Sequence, residues 1–404
     1  MVRELYKQTI TETALHVKRS QIEAAMNKKI TKSGCRVYKD GFLGVVGTLG
    51  EPNQEVWSRA EDNLNERIPY PFAPERNSKR IRDLRTLSIA TEDFLEEMED
   101  ILAKLRKGYP DFIFSNKIKL IETEISLVNE AGLEYINRDS SVEISLLVKH
   151  VESVSIFDTV LVYSERNLNK SQILNEFGKM LDGFRKDVFL PKQKKLPVII
   201  NSGILLSKVT ESLNGETVGL GASLFSAKIG KKVFNEKVGV YQDRTAENHH
   251  CAFFDMEGVA NPKDQVLLIE KGTILKPYTD KRQAAKFSYE NTGAAAGGYD
   301  DVPSLGFANL SLLAGNKTLK ELLEGEEGIL VVMASGGDYT DDGNFSTPVQ
   351  MSYLTDGERL LGRLPEFNIS GNLYEIFGSN FIGVTKDKPL WNKQLPVIRM
   401  EIGI

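Results

Sequence analysis

At 404 residues, with 41% hydrophobic and 26% charged side chains, the chain has the make-up of a folded protein long enough for two cores, which excludes extended disorder. A formal net charge of −5 argues against nucleic-acid binding, because that needs a clustered basic face. No apolar run reaches the roughly 18 residues of a membrane span, the polar first twenty residues lack a signal-peptide core, and two distant cysteines, Cys35 and Cys251, allow at most one disulfide; a cytoplasmic protein that neither spans a membrane nor binds nucleic acid is expected.

The first 190 residues alternate between helical and strand periodicity. Residues 12–29 (ETALHVKRSQIEAAMNKK) read as a helix. Residues 35–50 (CRVYKDGFLGVVGTLG) read as a hairpin turning at Lys39-Asp40-Gly41, where Asp-Gly supplies positive φ. In residues 91–110, Phe94, Leu95, Met98, Ile101, Leu102 and Leu105 fall on one helical face, with acidic residues at the start, Lys104 to Lys107 at the end, and Gly108 and Pro110 as a stop. Residues 118–150 read as strands with turns at Ala131-Gly132 and Asp139-Ser140, and residues 170–187 as a helix.

After Pro191 glycines thicken and short β-branched runs dominate: VGVYQD, QVLLIEKGTILKPYT, GILVVMAS, VQMSYLTDGERLLG and LPVIRMEIGI. Only GILLSKVTESLN and KTLKELLEGEEG read as helices. The basic run Lys192 to Lys195, between Pro191 and Pro197, reads as a solvated linker. The expected fold is therefore α+β: an N-terminal mixed α/β domain, residues 1–190, and a β-rich antiparallel C-terminal domain, residues 191–404.

Several common chemistries find no motif. There is no G-x-S-x-G elbow, and GLGASLFSAKIGKK lacks both the third glycine of a dinucleotide loop and the P-loop lysine spacing. Asp338, Asp341 and Asp342 lack the twelve-residue calcium pattern and read as an exposed acidic turn. The stretch NHHCAFFDMEG, residues 248–258, holds two of the four histidines and one of the two cysteines. On a strand, His249 and His250 would point to opposite faces, so only His249 and Cys251 would share one, with Asp255 as a further candidate. Its end, D-x-E-G, reads better as a turn whose carboxylates accept backbone N–H groups and whose glycine takes positive φ.

This turn and its surroundings resemble the TldD/PmbA family, also called TldD/TldE or "modulator of DNA gyrase". The resemblance rests on FDMEGVANPKDQVLLIEKGTILKPYTDKRQAA with Asp255, Glu257 and Gly258, on TGAAAGG with Thr292 and Gly293, and on VPSLGFANLSLLAGNKTLKELL. It continues in DDGNFSTPVQMSYLTDGE with Asn344, Phe345 and Ser346, in FNISGNLYEIF with Gly371 and Asn372, and upstream in ISLVNEAGLEY. TldD-type members are zinc metallopeptidases with an H-E-x-x-x-H helix and a downstream cysteine ligand; PmbA/TldE-type members lack these and pair with them.

The resemblance places that helix after Gly203-Ile204-Leu205-Leu206, with SLFSAKIGKKV downstream fixing the register. Ser207 then stands at the first histidine, Lys208 at the glutamate and Ser212 at the second histidine, and no cysteine follows Cys251. Serine is a poor zinc ligand and lysine is no general base beside a dication. The resemblance thus implies a PmbA/TldE-like chain with no catalytic residue, metal or cofactor of its own. It also implies a zinc-bearing TldD-like partner in a heterodimer and an extended peptide as substrate. Other readings are an autonomous metallopeptidase with a relocated site at His249, Cys251, Asp255 and Glu257, and a homodimeric peptide-binding or regulatory protein.

Overall fold

The computed structural model describes residues 1–86, 89–306 and 309–403. The first half builds a seven-stranded sheet from β1 (Val2–Lys18), β2 (Gln21–Lys39), β3 (Phe42–Leu49), β4 (Ser78–Asp83), β5 (Phe112–Asn129), β6 (Leu133–His150) and β7 (Thr159–Glu165). Its order is β3-β2-β1-β5-β6-β4, with β7 also on β6. Helices α1 (Gln54–Asp62), α2 (Phe94–Gly108) and α3 (Lys170–Phe184) accompany it. Every pairing is antiparallel except β4 on β6.

Local chemistry explains the reversals. Lys39 pairs with Phe42 across Asp40 and Gly41, whose φ values are 49° and 80°, the two-residue hairpin geometry that matches strand twist. Between β5 and β6 the Asn129 carboxamide oxygen accepts the N–H groups of Ala131 and Leu133, and Gly132 sits at φ 88°.

Three expectations for this half need correction. Residues 12–29 are not a helix but the end of β1 and the start of β2, reversing at Arg19 and Ser20 with φ of 48° and 65°. Alanine, glutamate and lysine favour helix locally, but β1 is zipped to β2 on one side and β5 on the other, and that long-range pairing overrides propensity. Asp139-Ser140 is no turn; it lies inside β6, where Arg166 and the Ser140 N–H satisfy the buried carboxylate. In α2, Leu95 leaves the apolar face and is 48% exposed, while Phe94, Met98, Ile101, Leu102 and Leu105 are buried.

The second half contains β8 (Lys195–Ile199), α4 (Ser202–Ser212), α5 (Gly215–Gly219), β9 (Val240–Asp243), β10 (Gln265–Glu270), β11 (Thr273–Ile274), α6 (Lys281–Phe287), β12 (Ala295–Ala296), β13 (Ser304–Leu305), β14 (Leu310–Leu312) and α7 (Leu319–Leu323). It finishes with β15 (Gly328–Ala334), β16 (Asp338–Tyr339), β17 (Asn344–Thr355), β18 (Leu360–Arg363), β19 (Phe367–Asn372), α8 (Leu373–Ile376), β20 (Phe381–Val384) and β21 (Pro396–Gly403). The main sheet runs β15-β8-β21-β19-β17-β16, with β18 on β17 and β20 on β21. Because β17 also pairs with β15, the path closes on itself. Its one departure from antiparallel order is β8 beside β15. A smaller sheet, β11-β10-β9-β14, lies beside it.

Strand alternation divides the interior. Ile329 and Val331 of β15 and Ile398 and Met400 of β21 join one apolar cluster with Leu205, Leu206 and Val209 of α4. Leu330, Val332 and Val397 join another, which continues through Phe177 and Met180 of α3 and Met98 and Ile101 of α2 into the first sheet. The apolar core therefore crosses the sequence boundary near residue 190, although Lys192 and Lys194 there are exposed.

Candidate functional site

The family-motif positions fall into two groups. The first surrounds α4. The Asn201 side chain caps its start by accepting the Gly203 N–H, and Leu205, Leu206 and Val209 bury one face. Ser207 is exposed and its hydroxyl donates back to the Ile204 carbonyl at 3.0 Å. The Lys208 side chain is only 6% exposed, with Nζ 2.9 Å from each Glu211 carboxylate oxygen and 3.9 Å from an Asp341 oxygen. Ser212 is buried.

The strand boxes converge beside this helix. Asn344, Phe345 and Ser346 pair with Asn372, Gly371 and Ser370, and the Asn372 amide donates to the Asn344 side-chain oxygen at 3.0 Å. Tyr339 packs on Phe345 with ring centroids 4.7 Å apart and planes tilted by 42°, and its hydroxyl donates to the Leu205 carbonyl of α4. Burial raises the Tyr339 phenol, which stays neutral. Asp338, Asp341 and Asp342 are exposed, as the acidic-turn reading expects.

The second group is the D-x-E-G turn, buried where the two halves meet. Asp255 accepts N–H groups from Glu257, Val259 and Ala295, and burial raises its carboxyl. Glu257 takes the Lys281 N–H at 2.9 Å and the Tyr70 hydroxyl of the first half. Burial first, then the neighbouring Asp255, pushes the Glu257 carboxyl up to about 7. Gly258 holds φ 79°, and a Cβ there would lie 3.0 Å from Leu133. Arg36, fully buried, donates to the Met256 carbonyl at 2.5 Å and stands 3.5 Å from Glu4. Thr292 and Gly293 close the turn from behind: the Thr292 hydroxyl accepts the Thr279 N–H, and the Gly293 carbonyl accepts from Gln242 and Arg244.

The histidine pair is placed differently from the strand-end expectation. Residues 245–250 form turns, with His250 at φ 56°. The His250 ring bridges Thr123 at 2.9 Å and Ser141 at 2.7 Å, and its N–H donates to Asp139, so it fastens this loop to the first sheet. Burial lowers both His249 and His250, leaving them neutral. Cys35 and Cys251 are free thiols, and burial raises both, Cys35 to about 11. Among the described residues no three His, Cys, Asp or Glu side chains converge as a metal-ligand set.

The PmbA/TldA metallopeptidase C-terminal domain matches residues 193–401, half of the chain. The chain belongs to the TldD/PmbA family. A relative from Archaeoglobus fulgidus named "Metalloprotease" is 26% identical over 91% of this chain and 88% of its own length. The "Zinc metalloprotease TldD homolog" of Saccharolobus solfataricus is 25% identical over 77% of this chain and 74% of its own. The crystal structure of TldE from Thermococcus kodakarensis has the same fold, with a TM-score of 0.82 at 20% identity over 100% of this chain and 96% of that one. A Thermotoga maritima protein described as a modulator of DNA gyrase gives 0.79 at 18%, over 100% and 95%.

Within this TldD/PmbA frame the donor set at α4 does not suit zinc. Ser207 and Ser212 offer only hydroxyls and Lys208 an ion-paired ammonium, and an ammonium repels a dication. Phe307 and Ala308 of the V-P-S-L-G-F-A-N box lie outside the described residues. Sequence reasoning missed Tyr70 and Arg36, which contact the D-x-E-G turn or its backbone from more than 180 residues away, and Glu4, which stands beside Arg36. No local pattern marks them.

Proposed function

We propose that this chain is a non-catalytic, PmbA/TldE-like subunit that pairs with a zinc-bearing TldD-like protein and helps present extended peptides to it. The observation that carries this reading is Lys208, buried and ion-paired to Glu211 where a metal-bound water would need a carboxylate base. The names of the relatives support a metallopeptidase context, and strand-rich architecture suits peptide capture by strand addition.

Two measurements on the purified chain test it: zinc content by mass spectrometry, and hydrolysis of an unfolded peptide library with and without the TldD-like paralogue of the same genome. Expected are sub-stoichiometric zinc, hydrolysis only in the mixture, and a heterodimer by light scattering. Stoichiometric zinc with hydrolysis by the chain alone, both lost in His249→Ala, would overturn the proposal. So would a genome without such a paralogue, and a stable homodimer that ignores an available one would favour a regulatory role instead.

A further inference from the structure

Strand β2 is open along part of its outer side. β3 covers it only from Lys32 to Lys39, whereas β1 pairs with it as far back as Gln21. The Thr31 carbonyl faces away from β1, since it accepts the Gly50 N–H where β3 ends. Backbone direction alternates along an antiparallel strand, so Ala25, Asn27 and Lys29 present their N–H and C=O groups the same way. Among the described residues no strand or loop bonds to them there. Glu23, left without a partner on β1 by a bulge, ends this regular stretch.

An edge of this kind invites pairing with another chain and is ordinarily blunted by lysines. Lys28 and Lys29 stand here, exposed and without an ion pair among the described residues, beside a Met26 that is 59% exposed. The charge beyond the bulge is of the opposite sign. Lys29 pairs with Thr11, and so lies on the sheet face that carries Leu15, Val17 and α2. On that face Ile22 and the outward side of α2 frame an open groove, with Leu95 and Ala103 in it and Glu92, Glu96 and Glu99 along it. Arg106 holds Glu99, but Glu92 and Glu96 are exposed and, among the described residues, unpaired. Glu23 touches only the exposed Lys18, at 3.6 Å.

We propose that two copies of this chain pair through this edge, antiparallel about a two-fold axis at Met26, so that one sheet continues into the other. Ala25 of each copy then exchanges both backbone hydrogen bonds with Asn27 of the other, and the two Met26 side chains meet on the axis. The same register carries Lys29 past Ala25 to the groove of the other copy. There its ammonium faces Glu92 and Glu96, and its stem covers the exposed Leu95. Parallel pairing in register would instead set lysine beside lysine.

This contact is independent of the pairing with a TldD-like protein, which Lys208 supports. An edge contact this small is expected to be weak, with a Kd on the order of 100 µM, so the chain stays monomeric in dilute solution.

Sedimentation equilibrium of the full-length chain alone, from low micromolar to several hundred micromolar, tests it. The weight-average mass is expected to rise from 45.1 kDa towards twice that value. Ala25→Pro deletes an outward N–H that β1 does not use. Lys29→Glu, and Glu92→Lys with Glu96→Lys, each set like charges together. Each of these three chains is expected to associate at least about tenfold more weakly at unchanged circular dichroism. Mixing the Lys29→Glu chain with the Glu92→Lys, Glu96→Lys chain sets opposite charges together at both contacts. The mixture is expected to regain association, which misfolded variants could not do. A wild-type chain that stays monomeric throughout, variants that associate as the wild type does, or a mixture no more associated than its components would overturn the proposal. So would a chain that is monomeric alone but binds the TldD-like paralogue in a manner lost in Ala25→Pro, since the edge would then belong to the paralogue.

Discussion

Glu257→Gln offers the sharpest test of how the D-x-E-G turn joins the two halves. Glu257 is 3% exposed, and burial and Asp255 move its carboxyl from 4.5 to about 7. Between those values the folded chain keeps a proton that the unfolded chain has released. Wild-type stability therefore declines as pH rises through this window, by about 1.4 kcal/mol per pH unit and roughly 3 kcal/mol in all. Glutamine imitates the protonated acid: its oxygen accepts the Lys281 N–H, and its amide donates to the Tyr70 oxygen. The two proteins should be similar near the acid end of the window, with the variant gaining an advantage of about 3 kcal/mol on the alkaline side. Urea denaturation at a series of pH values measures the difference directly. A pH-independent difference, or a variant that loses ground as pH rises, would refute the reasoning.

Three other substitutions probe the same architecture. Phe253→Ala removes a fully buried ring packed on Tyr135 and Phe254 and covered by Arg80 at 4.1 Å, so denaturation should show a loss of about 3–5 kcal/mol. Asp264→Asn breaks a bidentate contact to Arg80 at 2.6 and 2.7 Å and leaves the mostly buried Arg82 short of its counter-charge; a loss of about 2–3 kcal/mol is expected in low salt. Lys208→Met should cost no more than about 1 kcal/mol by thermal or urea unfolding, because the exposed Glu211 and Asp341 it abandons remain solvated.

Legibility followed the range of the interactions. The Asp40-Gly41 hairpin, the α2 face and the helix at residues 203–212 carry their causes within a few neighbouring residues, and each is visible as a pattern. Residues 12–29 fail because Glu12 to Val17 pair with β5 residues a hundred positions away, and Ala24-Ala25-Met26 then extend along β1 against a local helical preference. Asp139 misleads for a related reason. An aspartate beside a serine looks like a turn until Arg166 and His250 arrive to satisfy it within a strand. At the candidate site the D-x-E-G turn was readable as a turn from its own residues, whereas the Tyr70 and Arg36 contacts required the fold.

The contacts around Lys208 bear on whether α4 could hold a metal. A lysine without a structural role on this helix would point to solvent or leave an uncompensated charge. Lys208 does neither: its stem lies beside the core residues Leu205 and Val209, and its ammonium is met one turn on by both oxygens of Glu211, with Asp341 from a neighbouring loop. An ammonium so enclosed is tolerable only with such partners. Meanwhile the strand pairing of Asn344–Ser346 with Ser370–Asn372 and the Tyr339 contact to α4 stay in place. The helix has thus a complete electrostatic arrangement of its own, so placing histidines at Ser207 and Ser212 would not by itself make a metal site. The Lys208 ammonium would still stand one residue from Ser207, where it would repel a dication.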